Sequence, residues 1–216
     1  MTKKLETEKD KMSYAIGMDI AANIINMPFE FDKDALMTGF NDILDREAPQ
    51  LPQEEFISLM QKFQEMMQKE QQKMQEEHQK AAAEAKKVND AAAKEFFAEN
   101  GKKEGVITTE SGLQYTVITE GDGASPKAED KVKVHYVGTL PDGTTFDSSV
   151  ERGTPAEFPL NQVIPGWTEA LQLMKVGGKN KLFIPAELAY GDRGAGQLIA
   201  PGQMLIFEVE LLDILG

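Results

Sequence analysis

The chain of 216 residues contains no cysteine. That absence removes disulfides, thiolate nucleophiles, zinc–thiolate sites and iron–sulfur clusters together, and it leaves the redox compartment unreadable. Histidine is almost as scarce: His78 and His135 are the only two, and they lie far apart in sequence. A histidine-rich metal site is thereby excluded, and a Ser–His–Asp triad would have to use one of these two. No Gly-x-Ser-x-Gly elbow accompanies either. No stretch approaches the ~18 uninterrupted apolar residues that a membrane span needs. Basic residues are outnumbered 23 to 36, for a formal net charge of −13, which argues against nucleic acid as the main ligand. The N-terminus lacks an apolar core of about 7–15 residues, so the sequence as written predicts no signal peptide and a cytoplasmic protein. The alternative is a periplasmic protein in which Met1 replaces a removed signal sequence.

Glycine and proline are sparse in the first half. Residues 1–103 hold three of each, whereas residues 104–216 hold fifteen glycines and seven prolines. The first half reads as helix and the second as strands and turns. Both halves are acidic, with 15 basic against 20 acidic residues in the first and 8 against 16 in the second.

Tyr14, Ile16, Ile20, Ala21, Ile24 and Ile25 predict a short amphipathic helix that ends before Pro28. Asp32 is a good N-cap for a second helix, with Leu36, Met37, Phe40, Ile43 and Leu44 on one face. Pro52 suits a first helical turn, and Glu54 and Glu55 favour the helix dipole. No breaker follows until Asn100-Gly101, so a rod of roughly 73 Å is expected. Its first part carries an apolar stripe from Phe56 to Met74; its second is mostly Glu, Gln, Lys and Ala and is expected to face solvent on most sides. Two short helices and half a rod make a thin core for one chain. Residues 1–75 therefore read as a helical dimerisation domain, with a monomeric three-helix cap as the alternative, and residues 76–103 as a long-helix spacer. Met60, Met66, Met67 and Met74 suit either core filling or a client-binding groove.

In the second half, residues 113–119 and 131–137 alternate as strands, with Val132, Val134 and Tyr136 inward and Lys131, Lys133 and His135 outward. Residues 166–174 predict one short helix, and residues 179–184 and 204–215 two further strands. Taken alone, Trp167, Val163 and Phe207 are compatible with ordinary core, and Asp147-Ser-Ser149 with a turn or a helix cap. Gly191 to Gly196 is glycine-rich but lacks the Gly-Lys-Ser/Thr of a phosphate loop. Many strands, one helix and frequent turns indicate an antiparallel α+β domain over residues 104–216.

Six short strings then occur in order: Val134-His-Tyr-Val-Gly138, Asp142-Gly143, Phe146-Asp-Ser-Ser149, Val163-Ile-Pro-Gly-Trp167, Ala189-Tyr-Gly191 and Leu205–Leu211. Together they resemble FKBP-type peptidyl-prolyl cis/trans isomerases. The Ser13–Gly17 segment, the long rod and Ser111–Tyr115 are similar to the macrophage infectivity potentiator (Mip) branch. The resemblance implies an antiparallel half-barrel sheet wrapped on one short helix, with helical dimerisation and linker segments before it. It implies an X–Pro isomerase that needs no cofactor and no metal. The implied partners are unfolded or partly folded protein clients, a second copy bound through the N-terminal helices, and rapamycin-type macrolides as inhibitors. An alternative is a holdase chaperone in which the isomerase pocket is incidental.

By the same resemblance, Trp167 lies under the substrate proline ring, with Tyr136, Phe146, Phe158, Val163, Ile164 and Phe207 as walls. Asp147 orients the pocket through Tyr136 and Arg152. Tyr190 and the Ile164 N–H are donors to peptide carbonyls, and Leu198 and Ile199 lie in an overhanging loop. Ala156 and Ala195 replace larger residues that many single-domain members carry, leaving a more open rim.

Overall fold

The computed structural model describes residues 4–215, which form two compact units divided between Glu77 and His78. In the first unit, α1 (Glu8–Ile25) begins at a capping box in which Thr7 and Asp10 satisfy each other's backbone N–H groups. Helix α2 (Lys33–Leu44) begins at Asp32, whose carboxylate accepts from the Asp34 and Ala35 N–H groups at 2.9 Å. Helix α3 runs without a break from Gln53 to Asn100, so that its first part belongs to one unit and its last part to the other. Among the described residues up to Glu77, none is buried. No described helix is both long enough and apolar enough to cross a membrane.

The second unit is built on one antiparallel sheet. Its strands are β1 (Val106–Thr108), β2 (Gln114–Thr119), β3 (Lys131–Thr139), β4 (Thr145–Ser148), β5 (Ala156–Pro159), β6 (Lys179–Ile184) and β7 (Leu205–Ile214). They are ordered β1-β2-β6-β7-β3-β4, with β5 also paired to β3. Val132, Val134 and Tyr136 alternate inward along β3 as the pattern predicts, and Leu205, Phe207, Val209 and Leu211 do so along β7. Helix α4 (Pro165–Gln172) starts with proline at its first position and presses Trp167, Ala170 and Leu171 into the same core. The strands β1, β4 and β5 are too short to show a period. They are held by pairing to longer neighbours rather than by their own sequence.

The last part of α3 is not bare. Its less exposed positions are Ala82, Ala85, Lys86, Asn89, Ala93, Phe96, Phe97 and Asn100, a stripe at helical spacing. Phe96 stacks on Phe183 of β6 at 5.6 Å, and buried Asn100 donates to Gln114 of β2 at 3.0 Å. Gln114 in turn donates to the Phe97 carbonyl at 2.9 Å. Small alanines let the helix approach, while Glu84, Lys87, Val88, Lys94 and Glu95 are exposed. A count of large apolar residues along the rod finds only Phe96 and Phe97 of this face, because the rest of it is alanine, Lys86, Asn89 and Asn100.

Candidate functional site

Strand β3 is the spine of the site. Along its outer edge β5 pairs with Lys131–Val134 and β4 with Val137–Thr139, leaving Tyr136 between them. Ser149 fills that gap: Tyr136 N–H donates to Ser149 Oγ at 2.8 Å, and Ser149 N–H donates to the Tyr136 carbonyl at 3.0 Å. Ser149 is fully buried, so these bonds fix the end of β4, which carries Asp147, and the turn after it, which carries Arg152, beside Tyr136. Asp147 itself stands on β4, paired across from Gly138, rather than on a turn or helix cap.

Gly138 has a packing reason. A Cβ there would stand 2.7 Å from the Phe146 ring and 2.8 Å from the Phe207 ring. Without it the two rings meet edge to face at 5.4 Å. Phe207 also meets Trp167 at 5.2 Å, and Trp167 meets Tyr136 at 5.1 Å and Phe158 at 5.8 Å, all edge to face. These rings line a cavity of about 470 Å³ together with Asp147, Gln162, Val163, Ile164 and Tyr190.

One charged group reaches this cavity. The Asp147 carboxylate accepts from the Tyr136 hydroxyl through one oxygen and from Arg152 through the other, both in short contacts. Arg152 Nη2 also donates to the Tyr136 hydroxyl at 3.0 Å, and the guanidinium lies 5.7 Å from the Tyr136 ring centre. Partial burial opposes the charge on Asp147, but these hydrogen bonds and the Arg152 charge outweigh it and hold the carboxyl below its ordinary range. Burial, and then the bond to Asp147, push the Tyr136 hydroxyl above its ordinary range. The triad therefore stays anionic, neutral and cationic through the neutral pH range, and none of its members is poised to exchange a proton.

Three residues that line the cavity carry unpartnered hydrogen-bond donors. The Trp167 Nε1–H is the one buried side-chain nitrogen or oxygen without a partner among the described residues. The Ile164 N–H, at the N-cap of α4, and the Tyr190 hydroxyl take no hydrogen bond among the described residues either. An apolar cup with unpartnered donors suits a ligand that carries carbonyl groups and little charge.

Nine of the twelve residues singled out from the sequence line this cavity. Arg152 stands behind Tyr136 and Asp147 instead of lining it. Ile199 is buried in the core cluster, and Leu198 is exposed on the loop beside it. Gln162 lines the cavity although the sequence reading passed over it, as it did the gap-filling role of Ser149. Gln162 sits on a single 3-10 turn, Leu160–Gln162, where no periodicity marks a facing residue. A second groove, about 600 Å³ in volume, lies in the helical unit between Pro28, Phe63, Met67 and Met74. It has only Glu70 as a charged group and no arrangement for chemistry.

Comparison with known proteins agrees with this geometry. Residues 123–212 match the family described as FKBP-type peptidyl-prolyl cis-trans isomerase, and residues 9–117 match the domain amino terminal to FKBP-type peptidyl-prolyl isomerase. The chain is 46% identical over 215 residues to the FKBP-type 22 kDa peptidyl-prolyl cis-trans isomerase of Escherichia coli strain K12, covering 99% of each. It is 42% identical over 212 residues to the outer membrane protein MIP of Legionella longbeachae, covering 97% of this chain and 87% of the relative. The crystal structure of FkpA from Escherichia coli superposes with a TM-score of 0.64 at 37% identity, covering 98% of both chains. With both halves matched and one relative aligned almost end to end, this chain belongs to the FKBP-type peptidyl-prolyl cis-trans isomerases.

Proposed function

We propose that the cavity between Trp167, Tyr136, Phe146, Phe158 and Phe207 holds the proline ring of a peptide, and that rotation about the preceding X–Pro bond occurs there. The barrier of ~18–20 kcal/mol comes from amide resonance. Resonance is lost in the twisted state, so that state is less dipolar than either planar form. A dry aromatic cup stabilises the twisted amide relative to the planar ones, with no acid, base or nucleophile. The observation that carries this reading is the set of rings packed edge to face around Trp167, which makes a rigid apolar base. Asp147 keeps Tyr136 and Arg152 in place at its rim, while the Tyr190 hydroxyl and the Ile164 N–H are placed to bind peptide carbonyls.

In this reading the helical unit joins two copies of the chain. Its described residues bury nothing, yet Met12, Tyr14, Ile16, Met18 and Ile20 of α1 are all exposed. A second copy would cover that surface, and two pockets on one dimer would engage one unfolded client at two points. The protein then assists folding of clients with X–Pro bonds. A holdase reading rests on the Phe63–Met74 groove, which offers adaptable apolar side chains to a client without using the isomerase pocket.

A cis-to-trans assay on a short X–Pro peptide tests the pocket. Wild type should be active and blocked by rapamycin, whereas Asp147→Ala and Trp167→Ala should lose most activity. Full activity in both folded variants would remove the pocket from the reaction. The double variant that still suppresses aggregation of an unfolded protein completely would favour the holdase reading.

A further inference from the structure

The chain between Tyr190 and Leu205 forms a loop beside the pocket whose backbone hydrogen bonds are made within itself, while Ile199 and Met204 are buried in the core. Gly202 N–H donates to the Gly191 carbonyl at 3.0 Å and closes its neck. At the tip, Ala195 and Ile199 exchange backbone hydrogen bonds of 2.8 and 3.1 Å. Pocket-lining Tyr190 leads into the neck, and exposed Leu198 rides on the tip. No strand of the sheet pairs with this segment.

One turn of α3 holds the neck from outside. Asn89 Nδ2 donates to the Pro201 carbonyl at 2.9 Å. Lys86 Nζ lies 3.2 Å from Asp192 Oδ1 and is also paired with Asp90. Asp192 is on the outgoing side of the neck and Pro201 on the returning side, so the two contacts grip both. Gly202 makes the approach close: its φ is +70°, and a Cβ would stand 2.7 Å from Asp90 Oδ1 and 3.1 Å from the Lys86 carbonyl oxygen. A side chain at this position would be strained by its backbone and would push the loop off the helix.

We propose that residues 86–90 of α3 are a clamp on the pocket loop, making Asn89 and Lys86 positioning residues for peptide binding although neither lines the pocket. The inference rests on the assignment of the aromatic cavity as the peptide site. With its backbone hydrogen bonds confined to the tip, the neck and one turn at Ala200–Gln203, and with Ile199 as its anchor in the core cluster, the rest of the loop keeps conformational freedom that peptide binding would have to remove. Tying both sides of the neck to a long helix removes that freedom beforehand and so favours binding. Asn89 carries more of the effect than Lys86, because Asp192 is largely exposed and solvent-facing ion pairs contribute little. The same contact gives α3 a direct mechanical connection to the pocket: a disturbance of the helix at this turn reaches Tyr190 without touching the ring cluster.

The test uses the full chain with Asn89→Ala, Lys86→Ala and Lys86→Arg, and Asp147→Ala as reference. KM and kcat are measured on an X–Pro peptide, together with amide hydrogen exchange. Asn89→Ala should raise KM about fivefold with kcat within about twofold, as expected for one lost hydrogen bond that acts on binding. Exchange should quicken in residues 190–204 and stay unchanged in β3 and β7. Lys86→Ala should raise KM by about twofold, and Lys86→Arg should restore it. An unchanged KM in Asn89→Ala overturns the clamp, as does faster exchange spread evenly over the whole unit, which would mark a merely structural contact. If Asp147→Ala also keeps full activity, the pocket assignment has failed. If Asp147→Ala loses activity while Asn89→Ala behaves as wild type, only the clamp has failed.

Discussion

The two units of this chain solve the problem of apolar surface in opposite ways. The isomerase unit hides it: Leu113, Val132, Val134, Leu160, Leu171, Leu182, Ile184, Leu205, Val209 and Leu211 are wholly removed from solvent. The helical unit leaves it outside, so that Tyr14, Ile16 and Met18 are each more than half exposed. A sheet wrapped on a helix closes a core within one chain, whereas short helices with one apolar stripe each have too little surface to enclose anything. One unit is therefore expected to be self-sufficient and the other to depend on a partner. The lesson is that helical content does not measure independence.

The comparison breaks most severely where the units are separated. A chain reduced to residues 78–216 should keep its activity on a short peptide within about twofold, yet lose about 100-fold in refolding a proline-limited protein if two linked pockets act on one client. Equal losses in the two assays would mean that the helical unit is part of the catalytic fold.

Within the isomerase unit, Trp167→Ala should remove most peptide turnover and lower stability by about 3–5 kcal/mol, read from urea unfolding, because three rings, Tyr136, Phe158 and Phe207, lose their common neighbour. Moving the cut from residue 78 to residue 101 sharpens the boundary. That truncation uncovers Phe183 and leaves buried Gln114 without Phe97 and Asn100, and should cost about 2–4 kcal/mol against the 78–216 chain. Identical unfolding midpoints for the two fragments would return residues 78–100 to the role of a bare spacer.

In the helical unit, Ile16→Asp with Ile20→Asp should convert a dimer to a monomer in sedimentation, while the unfolding midpoint of the isomerase unit moves by less than about 0.5 kcal/mol. The smallest effect concerns pH. The native Asp147 carboxyl titrates lower than its unfolded counterpart, so its stabilising contribution is complete above the unfolded value and disappears as pH falls through the native one. With Tyr136 shifted the other way, the peptide activity of the folded protein should be flat between roughly pH 5 and 8. A bell-shaped profile in that window would bring a proton transfer back into the mechanism.

Much of this was legible in the residues. Asp32 marks the start of α2, Pro28 lies beyond the end of α1, and an unbroken run of good helix formers spans α3. The alternation along β3 assigns its inward face, because that strand has one buried side. Short strands were harder: β4 holds Asp147 through its pairing with β3, and Thr145–Ser148 has no period to read. Arg152 contacts Asp147 and Tyr136 in the arrangement that the resemblance implies, its long side chain reaching Asp147 from a turn five residues away, but it does not line the cavity. Gln162 could not be seen at all, because its facing depends on a turn and not on a repeat.

Residue order and type alone dictate where helices start and stop, which strand faces turn inward, and that disulfides, thiolate chemistry and a histidine-rich metal site have no residues to work with. Those properties depend on neighbours within a few positions, where spacing and side-chain type suffice. Chain packing alone shows that Ser149 fills the gap between β4 and β5, that Gly138 makes room for two rings, and that Asn89 of α3 hydrogen-bonds the carbonyl of Pro201, 112 residues later. Such contacts join groups remote along the chain, and their partners are chosen by shape and by the need to satisfy buried polar groups once the sheet has closed.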